Sequence, residues 1–433
     1  MAKAKKVFVV DGARTPFLKA RGQTGPFSAA DLAVAAARPV LARMPFEPES
    51  IDEVVIGCVI PSPNEANIAR IISLRLGCGK STPAHTVQRN CASGLQAVAT
   101  GRERILLGYS DLVLCGGTES MSRAPIQWNT AMVNWLSTLM RARNPVQRLG
   151  AIAALRPSYL KPVITLLFGL SDPLVKLSMG QTAEIIAHRF GVGREQQDAF
   201  ALRSHQLLAE AYEAGHMSGE IEPLYDSRGN VLREDDGLRR DSSTEALAKL
   251  RPVFDRKFGS VTSGNSSQIT DGAAMLLLAS DSAVEKYNLP VLGELLDHEW
   301  AGVDPSQMGL GPVHAVAGLL RRNKLKMSDL DQMELNEAFA GQVLACQAAW
   351  ADKQYAVDEL GLKSAPGSMN EAHLNPEGGA IACGHPVGAS GARLVLHLLH
   401  ALKRRGGGQG VATLCIGGGQ GGAMLVRVEG GAQ

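Results

Sequence analysis

Apolar and polar positions along the chain follow two alternating spacings. Short apolar runs at residues 7–10, 54–60 and 112–115 predict buried β-strands, whereas residues 29–44 and 92–107 have helical spacing. Strands that alternate with helices in this way are typical of layered α/β folds with mostly parallel strands. The pattern therefore predicts an α/β protein.

Parts of this pattern occur twice in the same order. An Ala-Ser-Gly triplet around Ser93 opens a predicted helix before a strand that ends at Cys115, and the same triplet around Ser390 opens a helix before a strand that ends at Cys415. A Leu/Ile-Asp pair precedes a buried strand in each half as well, at Asp52 and again about 280 residues later. These matches predict an internal duplication, whose two helix starts would meet at a pseudo-twofold interface suited to an active site.

Residues 121–251 interrupt the repeated pattern and are predicted to be an insertion, helical and charged over 182–215. The predicted division is an N-terminal half of residues 1–120 plus about 252–288, the inserted loop domain of 121–251, and a C-terminal half of 289–433.

Composition narrows the class of protein. The chain has 433 residues, of which 45% are hydrophobic and 20% charged, and this excludes a mainly disordered protein. The chain has no stretch of 18 apolar residues, which is about the length needed to span a bilayer. The apolar run at 7–10 is too short for a signal-peptide core. A net charge of +2 argues against nucleic acid as a partner.

The seven cysteines are odd in number and dispersed, and none forms a C-x-x-C pair. This argues against a disulfide framework and against a structural zinc site. We therefore expect reduced thiols, no bound metal and a cytoplasmic location.

Cys91 is a candidate nucleophile. It stands just before the predicted helix that begins near Ser93, and the small residues that follow it leave room for a substrate. A helix N-terminus favours the thiolate form of a cysteine, which is the nucleophilic form. The alternative is a buried structural cysteine.

His385 and Asn336 are candidates for the same site. His385 lies in a loop rich in glycine and proline just before a predicted helix, where it could accept the thiol proton of Cys91 or simply hold the loop. Asn336 follows the predicted strand at 333–335, so it either faces a ligand crevice or caps the next helix.

Cys415 ends a predicted strand and precedes a glycine-rich run at 417–422 that formally matches G-x-G-x-x-G. A dinucleotide site requires a helix after this motif, whereas residues 423–428 have the pattern of a strand. We therefore exclude a dinucleotide site and expect the glycine N–H groups to form an oxyanion hole.

Together these motifs resemble the thiolase family across essentially the whole chain. The segments that carry the resemblance are 11–17, 90–95, 116–122, 179–184, 261–272, 336–340, 384–391 and 415–418. The resemblance implies a thiolase fold, a duplicated five-layer α-β-α-β-α architecture with a loop-domain insertion. It also implies thiolytic cleavage of 3-ketoacyl-CoA, or the reverse Claisen condensation.

The resemblance assigns a role to each candidate. Cys91 would be the acylated nucleophile, His385 the group that activates it, and Cys415 the second acid/base. Asn336 would hold a water that forms one oxyanion hole with His385. Backbone N–H groups of Cys91 and Gly417 would form the other.

The resemblance also implies the ligands. Ser267 matches a position that contacts the pantetheine arm of CoA, and Met179 and Phe339 fall in motifs expected to bind substrate. CoA is a substrate, and no cofactor or metal is implied. The family suggests a homodimer or a dimer of dimers.

The function implied is an acyl-CoA:acetyl-CoA C-acyltransferase in fatty-acid β-oxidation. The alternatives are a biosynthetic acetoacetyl-CoA thiolase, a thiolase-like lipid-binding protein without turnover, and a ketoacyl synthase. The presence of Cys91, His385 and Cys415 disfavours the lipid-binding protein, and a second cysteine disfavours the synthase.

The near-neutral net charge conceals a basic segment, which we call the basic loop, at residues 123–177. It contains seven Lys or Arg residues and one acid, Asp172, so it carries +6 and the remainder of the chain −4. It looks like the extended loop of thiolase subunits in fatty-acid-oxidation trifunctional complexes. A hydratase/dehydrogenase α subunit is therefore an expected partner.

The basic loop also has apolar residues at helical spacing from Met132 to Met140, with Trp135 beside them. Lys or Arg together with Trp and apolar area is typical of an interfacial element. The hypothesis is contact with a partner subunit or with an anionic membrane, placing the protein at the inner face of that membrane. The alternative is packing over the acyl tunnel or at an oligomer interface.

Overall fold

The computed structural model describes residues 5–430, so the predicted domain limits at residues 1 and 433 lie outside the described residues. Its strands are β1 (Val7–Arg14), β2 (Leu18–Lys19), β3 (Glu53–Gly57), β4 (Ala84–Val87), β5 (Leu112–Ser120), β6 (Ile126–Trp128), β7 (Pro162–Ile164), β8 (Leu224–Tyr225), β9 (Val231–Leu232), β10 (Thr270–Ser280), β11 (Gly293–Gly302), β12 (Gln332–Leu335), β13 (Gly408–Ile416) and β14 (Gln420–Val428). Its α-helices are α1 (Ala29–Ala42), α2 (Ile68–Arg75), α3 (Ser93–Leu106), α4 (Thr130–Arg141), α5 (Pro145–Ala153), α6 (Thr165–Gly169), α7 (Met179–Arg189), α8 (Arg194–Glu213), α9 (Thr244–Ala248), α10 (Asp281–Tyr287), α11 (Gly311–Asn323), α12 (Ala340–Ala351), α13 (Lys353–Asp358), α14 (Ala380–Cys383) and α15 (Ser390–Arg404).

Ten of the described strands form one sheet in the order β12-β13-β14-β11-β1-β10-β5-β3-β4, with β2 beside β10. Each half repeats one pairing scheme. A parallel pair (β3 with β5, β12 with β13) is followed by antiparallel neighbours (β10 then β1, β14 then β11). β1 and β11 join the halves through Phe8 opposite Glu294. The α/β class and the duplication are confirmed, whereas the expectation of mostly parallel strands is wrong. The glycine turn that reverses β13 into β14 is one cause of the antiparallel pairing.

The five layers follow from the alternation of side chains along the strands. On β10, Met275 and Leu277 pack against α1 and α2, whereas Leu276 and Leu278 face α3 and α15. β14 repeats this arrangement, because Met424 faces α3 and α15 while Leu425 packs with α11 and α12. The central layer thus consists of the two helices that open with the repeated Ala-Ser-Gly triplet.

Two glycines allow α3 and α15 to approach each other closely. A Cβ on Gly94 would lie 2.8 Å from the Gly388 oxygen and 2.9 Å from the Ala392 nitrogen. A Cβ on Gly391, its equivalent in the second half, would lie 2.5 Å from the Leu95 nitrogen. These neighbours are backbone atoms, so a side chain at either position would force the helices apart.

We expect Gly391→Ala to lower the free energy of unfolding by about 1–3 kcal/mol, because the added methyl overpacks the central layer. Urea unfolding measures the loss. The control is Gly150→Ala on α5, where a Cβ would meet no atom within 4 Å. That change should stabilise the helix by about 0.5–1 kcal/mol. An equal effect of both substitutions would contradict the close approach.

The inserted segment contains β6 to β9 and α4 to α9, and its predicted helices at 182–215 are confirmed as α7 and α8. The predicted helix in the basic loop is α4, and Pro145 begins the next helix, α5, at a position that suits its missing N–H. The predicted strand at 54–60 ends already at Gly57. The division of the chain into domains stays a prediction.

A buried ionic cluster ties the insertion to both halves. Arg14, the last residue of β1, bonds Glu220 at 2.7 Å and Asp235 at 2.7 Å, and both acids belong to the insertion. His397 on α15 contacts Glu220 at 2.9 Å. Burial alone would raise the pKa of Glu220, but the charges of His397 and Arg14 hold that pKa well below its ordinary value. The sequence pattern gave no sign of this cluster.

Candidate active site

Cys91 lies between β4 and α3 and is half-buried. Its sulfur faces two backbone N–H groups, those of Gly417 and of Cys91 itself. Burial nevertheless raises the pKa of the thiol above its ordinary value, and these N–H groups only partly offset it. The N–H groups favour the thiolate as expected, but burial opposes it more strongly. Cys91 rests as a thiol and requires a base.

Cys415 lies near the end of β13 and is buried. Burial raises the pKa of its thiol well above the ordinary range, and the neighbouring Cys91 raises it further. The hydrogen bond from Asn90, the neighbour of Cys91, to Gly417, two residues after Cys415, brings the two cysteine-bearing segments together. A thiol held protonated beside a nucleophile is suited to donate a proton.

His385 is held in one tautomer by Ser390, the first residue of α15. The Ser390 hydroxyl lies 2.6 Å from His385 Nδ1 and 3.1 Å from the Pro386 carbonyl, to which it can donate while it accepts from Nδ1–H. In that tautomer the proton lies on Nδ1, and Nε2 is an acceptor that faces the Asn336 amide. Burial, with a smaller effect of Arg393, lowers the pKa of His385 to about 3. His385 is thus a neutral imidazole that can accept a proton at Nε2.

Asn336 follows β12 and is fully buried. Its Nδ2 lies 3.4 Å from His385 Nε2, and its Oδ1 has no hydrogen-bond partner among the described residues. The helix that follows begins at Ala340 with Phe339 at its N-cap, so the alternative that Asn336 caps this helix is wrong. An unpaired buried carbonyl oxygen next to the base is a place for a water molecule.

The residues expected to bind substrate lie around the two thiols. Met179 and Phe339 belong to one apolar cluster with Cys415, and Phe254 packs edge-on against Phe339 at 6.1 Å. Ser267 is half-buried, and its N–H donates to the Ala338 carbonyl at 2.9 Å. Cysteine, histidine, asparagine and the apolar cluster therefore converge at one end of the sheet.

The sequence analysis missed a buried acid beside the site. Glu119 lies near the end of β5 and accepts N–H groups of Val59 at 2.9 Å and Ile60 at 3.0 Å. Burial raises the pKa of Glu119 to about 7 despite these hydrogen bonds. Its position in the 116–122 motif could have drawn attention to Glu119. The motif alone, however, does not distinguish a buried structural acid from one at the surface.

Two family models match nearly all of the chain. Residues 7–282 match the thiolase N-terminal domain, and residues 289–428 match the thiolase C-terminal domain. The chain belongs to the thiolase family. The match to the N-terminal domain includes residues 121–251 as well as the strands on either side of them.

Known proteins resemble this thiolase over nearly their full length. It is 40% identical to a 3-ketoacyl-CoA thiolase of Yersinia pestis (strain Pestoides F), over 98% of this chain and 97% of that one. Human mitochondrial 3-ketoacyl-CoA thiolase in complex with CoA superposes with a TM-score of 0.84 at 37% identity, covering 99% of each chain. The acetyl-CoA acetyltransferase of Bacillus anthracis superposes with a TM-score of 0.85 at 33% identity, covering 99% of this chain and 100% of the other.

Three further observations concern the described residues of this thiolase. All seven cysteines are free. Between residues 5 and 430, no group of three or more His, Cys, Asp or Glu side chains is arranged to hold a metal ion. In the same part of the chain, none of the helices combines the length and apolar character that crossing a membrane requires.

Proposed function

We propose that this thiolase cleaves 3-ketoacyl-CoA to acyl-CoA and acetyl-CoA through an acyl group on Cys91, in fatty-acid β-oxidation. The observation that carries the proposal is the grouping of Cys91, Cys415, His385 and Asn336, in which the amide of Asn336 lies 3.4 Å from His385 Nε2 and burial raises the pKa of both thiols. The relatives named as 3-ketoacyl-CoA thiolases support the substrate class. All three reactive residues are present, which disfavours a lipid-binding protein without turnover.

In the first half of the reaction, His385 Nε2 accepts the Cys91 thiol proton, and the resulting thiolate attacks the 3-keto carbon. The oxyanion is stabilised by the N–H groups of Cys91 and Gly417, which already face the sulfur. The bond between carbons 2 and 3 then breaks. Cys415 protonates carbon 2 of the departing acetyl-CoA, and the acyl group remains on Cys91.

In the second half, the Cys415 thiolate takes the thiol proton of an incoming CoA. The CoA sulfur attacks the acyl thioester, acyl-CoA leaves, and the Cys91 sulfur regains its proton from His385.

A water on Asn336 Oδ1, together with His385, would stabilise the enolate oxygen of acetyl-CoA, and the unpaired Oδ1 supports this role. Because the thiol pKa of Cys91 is raised, the base is required in every cycle.

Thiolysis across a series of 3-ketoacyl-CoA chain lengths tests the proposal. Turnover of the longer substrates supports the degradative role, whereas turnover of acetoacetyl-CoA alone would favour the biosynthetic alternative. No CoA-dependent cleavage of any length would reject the proposal.

We also propose that the protein forms homodimers or dimers of dimers through β4. This strand ends the sheet, so its outer edge has no strand beside it among the described residues. At the opposite end, Leu374 pairs with Met333 on the outer side of β12 and covers that edge. An open edge is suited to pairing with a second copy.

The basic loop supports a proposed contact with an anionic membrane surface. Its seven basic side chains are all exposed, whereas its one acid, Asp172, is buried and accepts the N–H groups of Leu174 and Val175. Thirteen of the 24 large apolar side chains exposed among the described residues lie between Ile126 and Leu174, including Trp128 and Phe168. This surface combines apolar area with a single sign of charge. We place the protein in the cytoplasm, where its free thiols stay reduced, at the inner face of the membrane.

Neutralising the basic loop is expected to weaken this contact. Arg141→Gln, Arg143→Gln and Arg148→Gln together should reduce binding to phosphatidylserine vesicles about 100-fold, at about 1 kcal/mol for each charge. Co-sedimentation measures the binding. The matched control changes exposed Arg256, Arg321 and Arg405 to Gln and should bind as the parent does. Equal binding by both triple variants would contradict the membrane contact, and deletion of 128–170 without effect would do so too.

The hydratase/dehydrogenase subunit stays a prediction, tested by co-purification from the host.

A further inference from the structure

The loop that carries Cys91 is bound to the turn that carries Gly417 by side chains with no role in the mechanism above. The turn, residues 417–419, joins β13 to β14. Its first N–H, on Gly417, faces the Cys91 sulfur. Thiolysis thus depends on two segments that are more than 300 residues apart in the chain and must stay in register.

Asn90 makes the most direct link between the two segments. Its Nδ2 donates to the Gly417 carbonyl at 2.7 Å. The Gly417 residue is therefore fixed at both polar groups, because its oxygen is held by Asn90 and its N–H faces Cys91. Other contacts also hold the turn, since a Cβ on Gly417 would lie 3.2 Å from the Met179 sulfur and the Val303 N–H donates to the Gly419 carbonyl at 2.7 Å. The Asn90 hydrogen bond is the contact that joins the turn to the residue next to Cys91.

The backbone of Asn90 is adapted to this link. Its φ is +43°, in the left-handed region that asparagine tolerates better than other residues with a Cβ. Its carbonyl accepts the Ser93 hydroxyl at 2.7 Å, and Ser93 in turn accepts the Arg89 N–H at 2.9 Å. This local arrangement fixes the direction of the Asn90 side chain relative to the start of α3.

Arg89 binds the other end of the same turn. Its Nη1 donates to Gln420 Oε1 at 3.0 Å, and its Nε donates to Gln96 Oε1 on α3 at 2.8 Å. Its guanidinium also lies over the ring of Trp300 on β11, 4.2 Å from the ring centre. The turn is consequently held at Gly417 by Asn90 and at Gln420 by Arg89.

We propose that Asn90 is a positioning residue that aims the Gly417 N–H at the sulfur and at the thioester oxygen of acyl-Cys91, with Arg89 bracing the far end of the turn. This rests on the proposed thiolase reaction. Asn90 touches no substrate atom and acts through Gly417. The link therefore affects the chemical steps and the acidity of Cys91 more than the binding of CoA.

Asn90→Gly isolates the hydrogen bond, because glycine keeps the left-handed backbone and removes only the amide. We expect kcat to fall about tenfold or more, since misplacing an oxyanion-hole donor weakens transition-state stabilisation. The KM for CoA should change less than about twofold. Alkylation of Cys91 by iodoacetamide should require a higher pH, because the Gly417 N–H lowers the thiol pKa. Six of the seven cysteines are buried, so mass spectrometry can follow Cys91.

Asn288→Gly is the matched control. Asn288 is also left-handed, at φ +49°, but it is exposed at the end of α10. Its replacement should leave kcat and the alkylation profile unchanged. Asn90→Asp is a second variant, since a carboxylate cannot donate to the Gly417 carbonyl, and it should show the same losses as the glycine variant.

The alkylation profile separates this proposal from the thiolase reaction itself. If the parent protein cleaves no 3-ketoacyl-CoA, a shifted alkylation profile in Asn90→Gly still supports the link to Gly417. If Asn90→Gly and Asn90→Asp both retain the parent's kcat and alkylation profile, the positioning role is wrong, whatever the substrate.

Discussion

Cys91→Ser should slow the thiolysis of 3-ketoacyl-CoA by about 10³-fold or more, because it removes the nucleophile. A serine hydroxyl is far less acidic than a thiol, and His385, with a pKa lowered to about 3, is a weak base that cannot compensate. The acyl group would also form an ester, which is a poorer donor to CoA than a thioester. Loss of the ketoacyl substrate in the presence of CoA measures the rate.

The matched control for this substitution is Cys78→Ser. Cys78 is also a free cysteine, but it lies after α2, and burial raises its pKa to about 11. Its thiol is near Ser73, which can hydrogen-bond the new hydroxyl. Turnover by this variant should stay close to that of the parent. Near-parental turnover by Cys91→Ser, or failure to find an acyl group on Cys91 in the parent, would reject the mechanism.

Arg14→Met should lower the free energy of unfolding by about 3–5 kcal/mol, the range for breaking a buried ion pair. Asp235 would remain buried without its cation and Glu220 would keep only His397, since Arg14 bonds both acids at 2.7 Å. Methionine fills much of the same volume, so the loss reports on charge more than on a cavity. Chemical unfolding followed by circular dichroism measures it.

The same substitution at Arg21 provides the control. Arg21 pairs with Asp236, the neighbour of Asp235 in sequence, but the Arg21 side chain is 68% exposed. Exposed ion pairs contribute about 1 kcal/mol or less, so Arg21→Met should have a small effect. Comparable losses in the two variants would mean that the buried cluster does not stabilise the fold.

Much of the architecture could be predicted because it depends on local pattern. The triplets around Ser93 and Ser390 do open equivalent helices in the central layer, and the strand predicted at 423–428 is part of β14. The relative direction of neighbouring strands could not be predicted from the sequence. Periodicity reports which residues are buried, but not whether neighbouring strands run parallel.

The sequence proposed candidate site residues but could not predict the electrostatics around them. Cys91 stands next to a helix start, which favours a thiolate, yet burial dominates and raises its pKa. The depth at which a sulfur lies depends on segments distant in sequence. For the same reason, neither the Asn90 bond to Gly417 nor the contact between His397 and Glu220 could be inferred from local pattern.

The central place of β1 affects how the protein is made. β1 leaves the ribosome first, but its sheet neighbours are β10 and β11, and Arg14 bonds an acid 206 residues further along the chain. β1 lacks both neighbouring strands until β10 (Thr270–Ser280) has been synthesised, and it lacks β11 until Gly302. Contacts this distant slow folding and leave apolar strands exposed in the meantime. β1 can therefore take its place in the sheet only after well over half of the chain has been made.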